Sequence, residues 1–137
     1  MAAFATTAFF EKTYHEALTL ARDAQRYFAD EVAHGRDESQ VDDASGELEV
    51  TVAGMRLVAR VMHIVAWLLE QKAIGAGELD EREVQRRSEP LLEVLVSIGD
   101  EGTGRSYPKP LLALIERSRR LYARVARLDE MMRGTVH

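Results

Sequence analysis

Between Val61 and Leu69 every residue except His63 is apolar. The run sits within a segment of about 45–74 whose apolar residues recur at spacings of four and three, the period of an α-helix. The seam of that helix, expected to face its neighbours, reads Leu48, Val52, Met55, Ala59, Met62, Ala66, Leu69 and Ala73. A helix that is apolar nearly all round needs cover on more than one side. A single seam in a bundle of three helices does not provide it, and a second copy of the chain is the simplest cover. Nine uncharged residues fall short of the roughly 20 that span a bilayer. No membrane is therefore expected, and the chain is expected to be cytoplasmic. Ser45 suits the N-cap, Glu47 and Glu49 suit the positive end of the helix dipole, and Lys72 and Gly75 suit the other end.

Two further segments carry the same period. From about 7 to 34, Phe10, Tyr14, Ala17, Ala21, Ala24 and Phe28 form one apolar stripe, with Thr7 as N-cap and Gly35 as the stop. From about 108 to 133 the seam is Leu111, Leu114, Ser118, Leu121, Val125, Leu128 and Met132. Pro108 or Pro110 suits its first turn, and Gly134 suits its end. Residues 36–47 hold Asp37, Glu38, Asp42, Asp43 and Glu47 against Arg36 alone, which predicts an exposed acidic loop. Asp80 to Arg87 predicts a short helix, with Asp80 as cap and Glu83 completing a capping box. Ser88 to Ile98 fits either a short helix or an extended segment, and Asp100 to Ser106 predicts a loop. Together these predict a single all-α domain over residues 1–137. Its architecture is expected to be a three-helix antiparallel bundle with short connections, paired as a homodimer.

Catalytic chemistry finds little purchase. The chain has no cysteine, which excludes disulfides, thiolate metal sites and cysteine nucleophiles. Its four histidines, His15, His34, His63 and His137, do not pair at helical spacing. Glu11 and His15 lie one turn apart, but a di-metal bundle needs Glu-x-x-His on two helices. Gly99, Gly102 and Gly104 lack the strand-to-helix setting of a phosphate loop. No catalytic residue, metal site or cofactor is expected, and the chain is not expected to be an enzyme.

Charge and aromatic placement point to protein contacts instead. Net charge is −5, divided as −10 over residues 1–104 and +5 over residues 105–137, which suits complementary docking. Arg56, Arg60, His63 and Trp67 share one face of the second helix, with Gln71 one turn on. Tryptophan beside arginine is the composition of an interface hot spot. The plainer alternative has Trp67 at the edge of the core with Arg60 stacked on it. On the third helix, Arg117, Tyr122 and Arg124 are secondary contact candidates. Arg117, Arg120, Arg124 and Arg127 there form a basic stripe of the kind that tracks phosphates. Glu116, Asp129 and Glu130 interrupt it and the chain as a whole is acidic, so nucleic acid is the weaker reading.

Three blocks carry a family resemblance. The first is Phe9-Phe10-Glu11-Lys12-Thr13-Tyr14 with Glu16-Ala17-Leu18. The second is Met55-Arg56-Leu57-Val58-Ala59-Arg60-Val61-Met62, followed by Val65-Ala66-Trp67-Leu68-Leu69 and Gln71-Lys72-Ala73. The third is Leu114-Ile115-Glu116-Arg117-Ser118, then Leu121-Tyr122-Ala123-Arg124-Val125 and Arg127-Leu128-Asp129. In these blocks the chain resembles the alphaproteobacterial family typified by the regulator of CtrA degradation. The resemblance implies a homodimeric three-helix bundle acting as an adaptor that links cell-cycle regulators to the ClpXP protease. Its implied partners are a ClpX-type unfoldase primed by a response regulator, and a protein cargo. It also implies recruitment to a cell pole, as for some relatives. The best-known members carry a longer polar tail after the third helix than the few residues that follow Asp129 here. A dimeric helical scaffold without proteolytic cargo is the alternative.

Overall fold

The computed structural model describes residues 2–34, 44–99 and 107–135. These residues form five helices: α1 (Ala2–His34), α2 (Ala44–Gly75), α3 (Glu81–Arg87), α4 (Leu91–Ile98) and α5 (Lys109–Thr135). No strand occurs among the described residues, so the chain is all-α. Most of the expected acidic loop and the 100–106 loop lie outside the described residues, but Glu47 belongs to the first turn of α2. Ser45 also falls inside that turn instead of capping it.

The three long helices pack against one another, and α4 packs against α2 and α5. Their directions follow from their contacts. Phe10 on α1 meets Trp67 on α2 edge to face, with ring centroids 5.8 Å apart. At the other end of the pair, Phe28 lies over Gly54, where a Cβ would come within 2.9 Å of the ring. Helix α1 therefore runs antiparallel to α2, and a glycine lets the two approach closely. Arg60 bonds Ser118 and Trp67 bonds Asp129, so α5 runs parallel to α2. This corrects the expected antiparallel order with short connections. Two parallel helices need a connection that travels back along them, and α3 and α4 lie on that return.

Local signals explain how that return is made. Gly77, at φ +79°, ends α2: its N–H bonds Ile74 O while Glu78 N–H reaches Ala73 O. This is a Schellman closure, which needs a residue free to turn left-handed. The stop is therefore two residues beyond the expected Gly75. Asp80 caps α3 by accepting from Arg82 N, as its position predicts. The ambiguous 88–98 segment resolves as helix α4, with Pro90 before it and Gly99, at φ +93°, after it.

The largest departure concerns which side of α2 faces in. Its buried side is Val50, Ala53, Leu57, Val61, Ile64 and Leu68, with Arg60, Trp67 and Gln71 among them. The expected seam instead faces outward: Leu48, Met55, Met62 and Leu69 are 64%, 67%, 60% and 47% exposed. Both faces are apolar at helical period, so periodicity could not choose between them. The α1 and α5 seams stand much closer to expectation, with Leu20, Ile115 and the small polar Thr13 added to the interior. Leu20, Leu57, Ile64, Leu68, Leu95, Leu111 and Leu121 are fully enclosed, each contributing about 1.5–3 kcal/mol by burial.

Over Gly46–Gly75 α2 is long and apolar enough to cross a membrane by length and composition, more so than its nine-residue uncharged run suggests. Its inner side nonetheless packs on α1, α4 and α5 and encloses Arg60, as the core helix of a folded domain does.

Candidate functional site

The residues expected to form a contact surface divide between interior and rim. Arg60 is only 2% exposed. Its Nη1 donates to Ser118 Oγ at 3.2 Å and its Nη2 to Gly99 O at 3.0 Å, and its guanidinium lies 5.6 Å from the Tyr122 ring centre. It joins α2, the end of α4 and α5. Arg56 passes over the same turn, since a Cβ on Gly99 would sit 3.4 Å from Arg56 Nε. A groove of about 440 Å³ opens beside this knot, lined by Arg60, Leu95, Val96, Gly99, Arg119 and Tyr122.

Trp67 is also interior. Its Nε1 donates to Asp129 Oδ1 at 3.0 Å. Asp129 Oδ2 accepts the Leu91 backbone N–H at 2.8 Å, the first free donor of α4. Arg133, one turn along α5, donates from Nε to the same carboxylate at 3.1 Å. Its two remaining nitrogens reach the carbonyls of Gln85, Ser88 and Glu89. One buried carboxylate thus ties α2, α4 and α5, and its arginine ties the end of α3. Gln71, one turn beyond Trp67, is buried with its Oε1 unpaired.

Arg60, Trp67 and Gln71 are therefore corrected from surface contacts to interior residues, of which Arg60 and Trp67 tie helices together. The polar heads of Arg60 and Trp67 find interior partners, and the apolar parts of all three side chains lie in the core. The alternative reading of Trp67 at the core edge stands nearer the structure, although Arg60 stacks on Tyr122 and not on Trp67. Sequence reasoning missed Asp129 and Arg133. The signal was present, because Asp129 follows Leu121 and Val125 in the core register of α5 and has a basic residue one turn later.

The basic stripe of α5 is largely paired. Arg117 meets Asp23 at 2.8 Å, and Arg120 meets Glu116 at 3.6 Å. Arg124 grips Glu16 through both nitrogens, at 2.7 and 2.8 Å. Carboxylates of α1 thus occupy Arg117 and Arg124, the groups a phosphate backbone would need. No set of three potential metal ligands lies together among the described residues.

What remains on the surface is the outward face of α2. Leu48, Met55, Val58, Met62 and Leu69 follow one another along it, all exposed. It forms a long apolar strip with a chemistry suited to protein contact.

The family described as "Protein of unknown function (DUF1465)" matches this sequence over residues 1–137. The chain belongs to that family. Among solved structures, this DUF1465 chain is similar to RcdA from Caulobacter crescentus CB15, at 28% identity and a TM-score of 0.68. The likeness covers 90% of this chain and 91% of that one. No curated protein matches the sequence. The resemblance carried by the three sequence blocks is thereby shown to be to an RcdA-like family, in sequence and in fold.

The Glu16–Arg124 pair gives a pH signature. The bond from Arg124 holds the Glu16 carboxyl below its ordinary 4.5, against the opposing effect of partial burial. A depressed carboxyl contributes stability above its unfolded pKa, and that contribution is lost as pH falls through the lower, folded value. Glu16→Gln is expected to flatten the acid side of a melting-temperature profile between about pH 5 and 3. The difference should shrink in high salt, because the pair is half exposed. Superimposable acid limbs for the two proteins would show that the pair contributes nothing.

Proposed function

We propose that this protein is a cytoplasmic, dimeric, single-domain adaptor that links cell-cycle regulatory proteins to a ClpXP-type protease. The outward apolar face of α2 carries the dimeric, protein-binding part of the reading, and the adaptor step rests on the likeness to RcdA. A helical domain that encloses its polar knots and leaves a strip of leucine and methionine uncovered is built to bind protein. Methionine-rich faces adapt to partner shape because the side chain is unbranched and polarizable. The whole-length likeness to RcdA supports the adaptor reading over a generic scaffold. The gain from such an adaptor is effective concentration, since a tethered cargo meets the protease far more often.

In this reading the strip serves the second copy, and the domain is a bundle of three long helices strengthened by α4. Of the residues first considered for contact, Arg56 beside the strip is best placed to reach a partner. Arg117 and Arg124 are engaged by α1 carboxylates and Tyr122 by Arg60, which leaves them weaker contact candidates.

Reconstituted degradation tests the adaptor step directly. Purified ClpXP, its response-regulator primer and candidate cargo are combined with and without the protein. Faster cargo loss is expected with it. Unchanged rates for every cargo, together with a native pull-down that recovers neither protease nor response regulator, would leave the scaffold reading in its place.

A further inference from the structure

One polar group of the interior is left over by the packing. Gln71 is 8% exposed, and its Oε1 has no hydrogen-bond partner. A buried acceptor without a donor costs stability, and an apolar side chain of similar size would fill the place without that cost. A residue that breaks a local rule in this way marks a place with another use.

Gln71 lines a cleft of about 200 Å³ where α2, α3, α4 and α5 meet. Trp67, Val84, Leu91 and Asp129 form its buried floor. At the mouth His63, Ala66 and Glu89 are exposed, while Glu70, Gln85 and Ser88 are half-buried. The side chain of Gln71 ends in a soft sp³–sp² torsion. Turning the amide aims Oε1 into the cleft and breaks no bond to that oxygen.

The charge around the cleft is unbalanced. Arg133 is taken up by Asp129 and by the carbonyls of Gln85, Ser88 and Glu89. Glu70 and Glu89 add two carboxylates at the mouth, faced among the lining residues there by His63 alone. A cation is therefore favoured over an anion. Part of the lining is apolar, through Ala66, Trp67, Val84, Leu91 and Val94. Lysine and arginine match both halves, with an apolar stem and a head that only donates. The volume lies below the roughly 300–1,000 Å³ of a small-molecule site, which suits one side chain better than a whole metabolite.

We propose that this cleft receives a lysine or arginine side chain from a partner polypeptide, with Gln71 accepting from its head and Glu70 and Glu89 offsetting its charge. The inference needs neither the dimer nor the protease.

The chain's one tryptophan makes the cleft observable, because the Trp67 indole lies in its floor. The indole N–H signal of the full-length protein is followed by nuclear magnetic resonance during titration with three blocked peptides. Each is glycine–X–glycine, with X as lysine, norleucine or glutamate. The lysine peptide is expected to shift the signal saturably, in the millimolar range of a single weak anchor. The norleucine peptide should bind at least about tenfold more weakly, the worth of one charge-assisted hydrogen bond, and the glutamate peptide should leave the signal unmoved. Gln71→Leu should abolish the preference for lysine while its melting temperature stays level or rises. Glu89→Gln, on the exposed rim, should weaken lysine binding about two- to threefold, with the difference fading in high salt. Equal shifts with lysine and norleucine, or no shift with any peptide, would overturn the proposal. So would undiminished lysine binding by Gln71→Leu. A melting temperature lowered by several degrees in Gln71→Leu would mean that Oε1 is bonded inside through a trapped water, and would overturn it as well. A failed degradation assay would leave all of these readouts standing.

Discussion

Asp129→Ala is expected to lower the unfolding free energy by about 3–5 kcal/mol, the range for breaking a buried charged network by removing one partner. Asp129 is 2% exposed and accepts from the Trp67 indole, the Leu91 backbone N–H and Arg133. Removing it leaves an indole donor and the first amide of α4 unpaired, and leaves a largely enclosed guanidinium without its carboxylate. Each unpaired group costs its own desolvation, about 1–3 kcal/mol, with the charged one at the upper end. In a domain of this size the melting temperature should fall by roughly 10–20 °C. Asp129→Asn should be nearly as damaging, because one oxygen becomes an NH₂ that turns donors toward donors. Trp67→Phe removes one donor and keeps much of the ring, so its cost should be smaller. Thermal and urea unfolding followed by helical signal would measure all three. A change under about 1 kcal/mol in Asp129→Ala would show that α4 is held by its apolar contacts alone.

Leu57→Ala and Met62→Ala form the second test, since they decide which side of α2 lies inside. Leu57 is fully buried and Met62 is 60% exposed. Leu57→Ala should cost about 2–5 kcal/mol at every protein concentration, through lost transfer energy and the cavity left behind. Met62→Ala should cost within about 0.5 kcal/mol where the protein is monomeric, as for an ordinary surface change. At high concentration its cost should grow, because dimerisation stabilises the folded chain by mass action. Urea unfolding at two concentrations a hundredfold apart separates the effects. Equal, concentration-independent losses in both variants would mean that the two faces are buried alike within one chain.

Much of the architecture was legible because helical period is a local property. The stripe from Phe10 to Phe28 and the seam from Leu111 to Val125 each have one apolar side, so each seam could be placed from spacing alone. Asp80 as a cap was legible for the same reason, as a side chain bonding its own neighbour. The contact residues were harder. Arg60, Trp67 and Gln71 share a face with the composition of an exposed hot spot, and nothing local announces that Ser118, Gly99 and Asp129 meet two of them from distant parts of the chain.

Residue types and local spacing were enough to give three long helices, an all-α chain, the lack of a cysteine-based site and the blocks that mark its RcdA-like family. Those properties depend on residue type and on neighbours within a turn or two. Long-range contacts set the parallel course of α5 and α2, the place of α4 on the return path, and which apolar side of α2 turns inward: the one that carries Arg60, Trp67 and Gln71, while the leucine and methionine side turns out. That choice rests on long-range pairing: a buried arginine and an indole are tolerable only where acceptors from other helices converge on them. Two apolar faces of equal period leave the decision to those partners.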